Sequence, residues 1–408
     1  MRVAGASRPR RTAGPGRLTG VDAVRGLAVL GMFAVHVGPG PRPEGAGYLV
    51  VAADGRAPAL FTLLAGFSLA LAQRSGGGTP AETSGSWTQR HRALLTRCGV
   101  LAALGLVLAA LWPGILVILT FFAVYFLAAE PFTRLTTPVL TAVAGTSVVV
   151  GPLLSYLLGP VFGYGTSGRG AVPEPSALTS WDGLGRTLLE LLLTGAYPLA
   201  TYLPYVLVGL ALGRLCDLRE RRSAARMALW GAAAAVAGYG VAWLWAHALG
   251  GRERLLSVIA ERHPEAAAAA DPVGEVLGGQ YGAIPSTSWE WLLVADPYSQ
   301  TPLETIGNAG VGCALIGLFV LAAQRRAGVL VLGPLAPLGA MALSAYVVHA
   351  LVLAGPAHGA ASWTALAAFA GVSVAAAWGW QRIWADSPLR RGPLEHALRL
   401  ASRGRTPA

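Results

Sequence analysis

The sequence Val21–His36, VDAVRGLAVLGMFAVH, decides the fold class because it is an apolar helix that carries ionisable side chains. Asp22, Arg25 and His36 interrupt a run that is otherwise apolar enough to enter a bilayer. Eleven residues separate Arg25 from His36. In an α-helix this spacing returns them to within about 20° of one face, about 16 Å apart along the axis. Ionisable groups within a membrane span are usually functional, so we expect a polar site on this wall of the helix.

The composition of the whole chain is that of a polytopic membrane protein. Of its 408 residues, 54% are hydrophobic and only 12% are charged, which is far from the average soluble domain. Apolar runs long enough to cross a bilayer predict an all-α integral membrane helix bundle of about ten transmembrane helices. These runs fall near residues 20–38, 57–73, 94–112, 114–132, 137–160, 187–213, 227–249, 304–323, 331–354 and 363–384.

The placement of arginine predicts how the bundle is oriented. Threading the ten runs in order places 24 of the 31 basic residues, all of them arginine, on the side of the N-terminus with 7 acidic residues. The other side has 7 arginines and 13 acidic residues. Because cytoplasmic loops are enriched in arginine, we expect both termini in the cytoplasm and the protein in the plasma membrane. Topology thus explains the net charge of +11, and no nucleic-acid partner is expected.

The charge pattern also divides the chain into regions. Residues 1–18 are expected to form a disordered basic cytoplasmic tail, residues 19–385 the polytopic domain, and residues 386–408 a basic cytoplasmic tail. The acidic segment 250–302 is the main extracytoplasmic element. Within it, residues 252–270 fit an amphipathic helix, and Trp289 and Trp291 fit aromatic anchors at the membrane interface.

Each ionisable residue of the first run has a structural and a functional interpretation. Asp22 follows Thr19 in the pattern of a helix N-cap, and it is also one turn from Arg25, with which it can pair. Arg25 pairs with Asp22, extends to lipid phosphates, or meets an anionic ligand. His36 either forms a hydrogen bond with a neighbouring helix carbonyl or interfacial water, or acts as a general base. As a base it takes a proton from a hydroxyl or amine that attacks an acyl group.

The later runs supply candidates for binding the acceptor. His349, in the ninth run, falls in the outer half of the membrane if that run points outward, with Ser344 and Tyr346 nearby. It lines the same cavity as His36 or forms a hydrogen bond between helices. Tyr202 lies beside the proline breaks of the sixth run, where irregular backbone must line protein or a cavity. No residue pattern indicates a metal site.

Several segments resemble known membrane protein families. VDAVRGLAVLGMFAVH and LFTLLAGFSLAL resemble the start of bacterial heparan-alpha-glucosaminide N-acetyltransferase-like membrane proteins. TYLPYVLVGLALGRL, PLGAMALSAYVVHALVL and WADSPLRRGPLEHALR resemble the C-terminal region of the domain-of-unknown-function family 418. The spacing of Arg25 and His36 also resembles that in the first helix of acyltransferase-three-family membrane acyltransferases, which use cytoplasmic acyl-CoA to modify extracytoplasmic glycans.

These resemblances imply an acetyltransferase-like part at about residues 19–215 and a C-terminal part at about 220–396. They imply acyl-CoA, specifically acetyl-CoA, as a co-substrate held by Arg25, with His36, Arg25 and Asp22 as catalytic residues and no metal. The acceptor would be a small molecule or glycan at the outer side. Two alternatives stay open: a membrane transporter or flippase, and a catalytically inactive membrane protein. The oligomeric state stays open as well.

Overall fold

The structure is a computed structural model that describes residues 19–40, 44–75, 87–162, 172–279, 282–355, 357, 359 and 361–402. These residues form eighteen α-helices and no β-strand, which confirms the all-α prediction. The helices are α1 Thr19–Val37, α2 Tyr48–Ala53, α3 Arg56–Ser75, α4 Trp87–Ala110, α5 Leu119–Ala129, α6 Thr137–Leu158, α7 Trp181–Leu189, α8 Leu199–Leu215, α9 Arg221–Ala248, α10 Gly251–Arg262, α11 Pro264–Ala267, α12 Pro272–Gly279, α13 Pro302–Ala323, α14 Arg326–Leu332, α15 Leu335–Ala340, α16 Ala342–Leu353, α17 Trp363–Ile383 and α18 Pro393–Ser402.

Among the described residues, seven helices are long and apolar enough to cross a membrane. They are α1, α3, α4, α6, α9, α13 and α17. Each of them coincides with one of the ten predicted apolar runs, as expected for an apolar segment of about 20 residues. The prediction of a membrane helix bundle is confirmed, whereas the number ten and the cytoplasmic position of the termini stay predictions.

The other three predicted runs fold as shorter helices, because proline and glycine interrupt them. The fourth run contains only the 11-residue helix α5, because the chain that follows Pro113 and Gly114 is not helical before Leu119. In the sixth run, a π-helical turn and then Pro198 separate α7 from α8. The ninth run is divided among α14, α15 and α16, with Pro334 between the first two.

Helix α1 is enclosed by the bundle, since it packs against α3, α13 and α15. Its crossing with α15 is very close because glycines meet there. A Cβ atom at Gly339 would collide with the carbonyl oxygen of Asp22, and one at Gly26 with that of Leu335. Small residues let membrane helices approach to backbone contact, so this crossing fixes α1 in the bundle.

The segment that the sequence places outside the membrane folds into a small helical unit. Helices α10 and α11 cover the predicted amphipathic region 252–270. The unit has its own apolar core, which includes Ile259 and Trp291. The expectation that Trp291 is an interface anchor is wrong, because this side chain is 1% exposed and its indole N–H donates to Thr287 Oγ1 at 3.0 Å. Trp289 is 54% exposed, as an anchor would be.

The two predicted tails differ in what the structure describes. Residues 1–18 and 403–408 lie outside the described residues. The part of the C-terminal segment up to residue 402 includes α18, which packs against α4 and α16. This segment therefore takes part in the bundle instead of extending away from it.

Candidate functional site

One cavity of about 480 Å³ is lined by both Arg25 and His36. It lies among α1, α3, α4, α5, α15, α16 and α18, whose residues supply most of its lining. The two side chains lie about 16 Å apart along α1, and we call the parts of the cavity beside them the arginine end and the histidine end. The rest of the lining is largely apolar and includes Phe61, Leu69, Leu101, Phe122 and Phe126.

At the arginine end, Arg25 is fixed by neighbours on three helices. Its Nη1 donates to Asp22 Oδ1 at 3.0 Å and to the Gly339 carbonyl at 3.4 Å. Its Nη2 donates to Ser68 Oγ at 2.7 Å, and that hydroxyl donates in turn to the Leu64 carbonyl. Asp22 therefore pairs with Arg25, one of the two interpretations of its position. The guanidinium is held in one orientation beside the cavity.

Two further arginines line the cavity. Arg97 on α4 has its guanidinium carbon 4.4 Å from the centre of the Phe126 ring. Arg399 comes from α18, at the other end of the sequence from Arg25. Neither residue is among the site residues predicted from the sequence. The only signal for Arg97 is an arginine inside the third apolar run, and nothing local places α18 against that run.

At the histidine end, His36 and His349 form a pair. His36 Nδ1 lies 3.0 Å from His349 Nε2, and the two ring planes are within 12° of parallel. Phe33 and Phe369 enclose His349, with ring centres 4.6 and 5.1 Å from its own. His36 lines the cavity, and His349 lies behind it. Of the two interpretations of His349, the structure shows a hydrogen bond between helices, and His349 is not among the residues that line the cavity.

The hydrogen bond between the two rings couples their protonation. Within the described part of the chain, the buried His349 Nδ1 has no hydrogen-bond partner. A neutral imidazole carries one N–H, so when His36 Nδ1 donates to His349, the lone pair of His36 Nε2 is free to accept a proton. When His349 Nε2 donates to His36 Nδ1 instead, His36 Nε2 carries the hydrogen and acts as a donor. Among the described residues, no group of three His, Cys, Asp or Glu side chains could hold a metal ion.

Tyr346 lies within α16, and its side chain lines the cavity. Its hydroxyl oxygen accepts a hydrogen bond from the Ile118 backbone N–H at 3.2 Å. A tyrosine hydroxyl can accept and donate at the same time, so its own hydrogen is directed elsewhere. Tyr346 can therefore donate to an oxygen of a molecule in the cavity.

Ser344 does not line the cavity, and its partner Glu395 explains its position. Ser344 Oγ donates to Glu395 Oε2 at 2.5 Å, while Glu395 Oε1 accepts from the backbone N–H groups of Leu343 and Ser344 at 2.9 and 3.1 Å. A carboxylate is stabilising at the first turn of a helix. Burial raises the pKa of Glu395, and the hydrogen bonds from Ser344 oppose that shift. Ser344 thus joins α16 to α18.

Tyr202 does not line the cavity either. It is 2% exposed and lies in a cluster of aromatic rings, parallel to Tyr125 at 6.0 Å and edge-on to Tyr197 at 5.5 Å. Tyr197, beside the same proline break, lines the cavity, as does Tyr298 from the outer segment. The proline breaks therefore do border a cavity, through Tyr197 and not through the predicted Tyr202.

Comparison with known proteins matches one part of the chain. No curated protein matches the chain. A family model described as "Protein of unknown function (DUF418)" matches residues 272–405, from α12 into the segment that follows α18. Arg25 and His36 lie before the matched region, and His349 and Arg399 lie within it. Residues 272–405 therefore carry a DUF418 domain, and this domain supplies one half of the histidine pair.

Proposed function

We propose that the protein is a membrane acyltransferase that moves an acyl group, acetyl in the simplest case, from acyl-CoA to a hydroxyl or amine of a small molecule or glycan. The observation that carries this proposal is that one cavity has guanidinium groups at one end and a hydrogen-bonded histidine pair at the other. In this proposal the protein lies in the plasma membrane with both termini in the cytoplasm. The arginine end then faces cytoplasmic acyl-CoA, and the histidine end faces an outer acceptor.

His36 acts as the general base. Its Nε2 takes the proton of the acceptor hydroxyl or amine as that oxygen or nitrogen attacks the thioester carbonyl carbon. The carbon–sulfur bond then breaks, and the proton passes from His36 to the leaving sulfur. The products are an ester or amide and free coenzyme A. His349 accepts the hydrogen bond from Nδ1 and so stabilises the imidazolium that His36 becomes.

Other residues orient the donor. The Tyr346 hydroxyl donates to the thioester oxygen, on which negative charge develops. Arg25, oriented by Asp22 and Ser68, holds a polar portion of the donor. The apolar lining, with Phe122 and Phe126 among it, suits the narrow chain that joins a thioester to its nucleotide.

The proposal is tested with the full chain, purified and reconstituted in lipid nanodiscs. Acetyl-CoA is supplied with glucosamine as a probe acceptor, and both release of the free thiol and acetylation of the amine are measured. We expect His36→Ala to lower turnover by about 10²- to 10⁴-fold, the usual contribution of a general base, while coenzyme A still binds. His247→Ala is the matched control, because His247 is an exposed histidine at the end of α9.

Each alternative predicts a different result. Turnover that is unchanged in His36→Ala rejects the site assignment. Movement of radiolabelled glucosamine into proteoliposomes without release of coenzyme A indicates a transporter, for which helix breaks at the membrane centre are also typical. Absence of both signals in the wild-type protein, with coenzyme A unbound, indicates a catalytically inactive protein.

A further inference from the structure

Besides Arg25, the cavity is lined by two further arginines, Arg97 and Arg399. Arg25 is paired with Asp22, whereas no carboxylate of the described residues forms an ion pair with Arg97, whose contact there is with the Phe126 ring. The Arg97 side chain is exposed and lines the cavity, so its guanidinium is accessible to an anionic ligand there. Arginine is always charged and presents a planar set of N–H donors that matches phosphate oxygens.

Helix α18 brings a third guanidinium, that of Arg399, to the cavity. Glu395, Leu398, Arg399 and Ser402 all line the cavity, and their spacing of three, four and seven residues places them on one face of the helix. Glu395 is bound to the first turn of α16, which fixes this face toward the cavity. Arg399 is therefore presented by an anchored helix that packs against α4, the helix that carries Arg97.

We propose that Arg97 and Arg399 form a binding site for phosphate esters at the arginine end of the cavity. Guanidinium groups bind phosphate oxygens through paired, charge-assisted hydrogen bonds, and two of them on different helices suit a ligand with more than one phosphate group. The identity of the ligand rests on the proposed function: the ligand is the diphosphate portion of acyl-CoA. Leu101 and Phe126, which line the same cavity, then contact the chain that leads toward His36.

Phosphate esters at this position have two sources, a nucleotide and a phospholipid headgroup, since arginines near the end of a span also contact lipid phosphates. The test therefore uses the full-length chain in two forms, in detergent without added lipid and in nanodiscs that contain phosphatidylglycerol. Binding of coenzyme A is measured calorimetrically for the wild-type protein, Arg97→Gln, Arg399→Gln and the control Arg222→Gln. Arg222 is an exposed arginine on α9.

We expect Arg97→Gln and Arg399→Gln each to weaken binding of coenzyme A by about 10- to 100-fold, as for a hydrogen bond to a charged group, and Arg222→Gln to leave it unchanged. Both losses should appear in detergent and in nanodiscs. Equal binding of coenzyme A by wild-type protein and both variants overturns the proposal. Wild-type protein that binds no coenzyme A but retains phosphatidylglycerol through Arg97 and Arg399 overturns the assignment of the ligand to acyl-CoA, because the phosphate ester is then a lipid headgroup.

A second probe separates this site from the proposed chemistry. S-acetyl-N-acetylcysteamine carries the thioester but no nucleotide and no phosphate. We expect Arg97→Gln and Arg399→Gln to raise KM for acetyl-CoA and to leave turnover of this probe unchanged. If the wild-type protein turns over neither thioester, yet binds coenzyme A through the two arginines, the phosphate site stands and the acyltransferase proposal fails. An equal loss of turnover with both thioesters shows a structural role for the arginines and overturns the site.

Discussion

His36 Nδ1 lies 3.0 Å from His349 Nε2, although 313 residues separate the two histidines in the chain. One ring comes from α1, and the other comes from the DUF418 domain. The pair therefore joins the N-terminal helices to the matched C-terminal region at the cavity. A positive charge that forms on the His36 ring during proton transfer is shared with the second imidazole, so we expect the two residues to act together.

The first prediction concerns His349. We expect His349→Leu to lower kcat for acetyl transfer by roughly 10- to 100-fold, less than His36→Ala does, because the base is still present but has lost its partner. KM for acetyl-CoA should change little, since His349 lies behind His36 and not on the cavity surface. His349→Gln can still accept the hydrogen bond from Nδ1 and should restore part of the rate.

The comparison of those two variants decides what His349 does. If His349→Gln is as slow as His349→Leu while both unfold at the wild-type temperature, the hydrogen bond to Nδ1 is not what the rate depends on. If both variants turn over at the wild-type rate, the histidine pair is only a contact between helices.

The second prediction concerns Glu304, a carboxylate that is 4% exposed. It accepts hydrogen bonds from the backbone N–H groups of Tyr298 at 3.0 Å and Gln300 at 2.6 Å. Both donors have a φ of +61°, a left-handed conformation that non-glycine residues rarely adopt. The carboxylate thus holds a turn that places Tyr298 on the cavity.

We expect Glu304→Leu to reduce the free energy of unfolding by about 3 kcal/mol or more, because several buried donors lose their acceptor. Thermal unfolding of the purified protein in detergent measures this effect. Glu275→Gln on the outer helix α12 is the control, since Glu275 is exposed. A melting temperature of Glu304→Leu equal to that of wild type would show that the turn does not depend on the carboxylate.

How much of the site the sequence could predict depends on the range of the interactions. The common wall of Arg25 and His36 follows from the period of a single helix, and the structure places both on one cavity. The contributions of Arg97 and Arg399 depend on how α4 and α18 pack, which no local pattern contains. From the sequence, Glu304 is only one of the 13 acidic residues on the outer side. The turn that it holds, residues 298–300, contains no glycine that would mark it.

The third prediction concerns the crossing of α1 and α15. We expect Gly339→Ala to destabilise the protein by about 1–3 kcal/mol, the usual effect of overpacking, because the added Cβ meets the Asp22 carbonyl. Coenzyme A binding should weaken as well, since the Gly339 carbonyl accepts from Arg25. Gly371→Ala in α17 is the control, because nothing lies within 4 Å of a Cβ there. Equal melting temperatures of the two variants would contradict the prediction.

The last prediction is a pH dependence at Asp54, in the turn between α2 and α3. Burial raises the pKa of this carboxyl above its ordinary value of 3.8, against the opposing effects of a Tyr298 hydrogen bond and Arg56. The folded protein therefore binds this proton more tightly than the unfolded chain does. Stability from Asp54 is present at acidic pH and is lost as the pH rises from 3.8 through the folded pKa. Asp54→Asn cannot titrate, so its melting temperature relative to wild type should increase with pH over that window and then stay constant. A constant difference throughout, measured from pH 3.5 to 8, would show that the carboxyl titrates alike in both states.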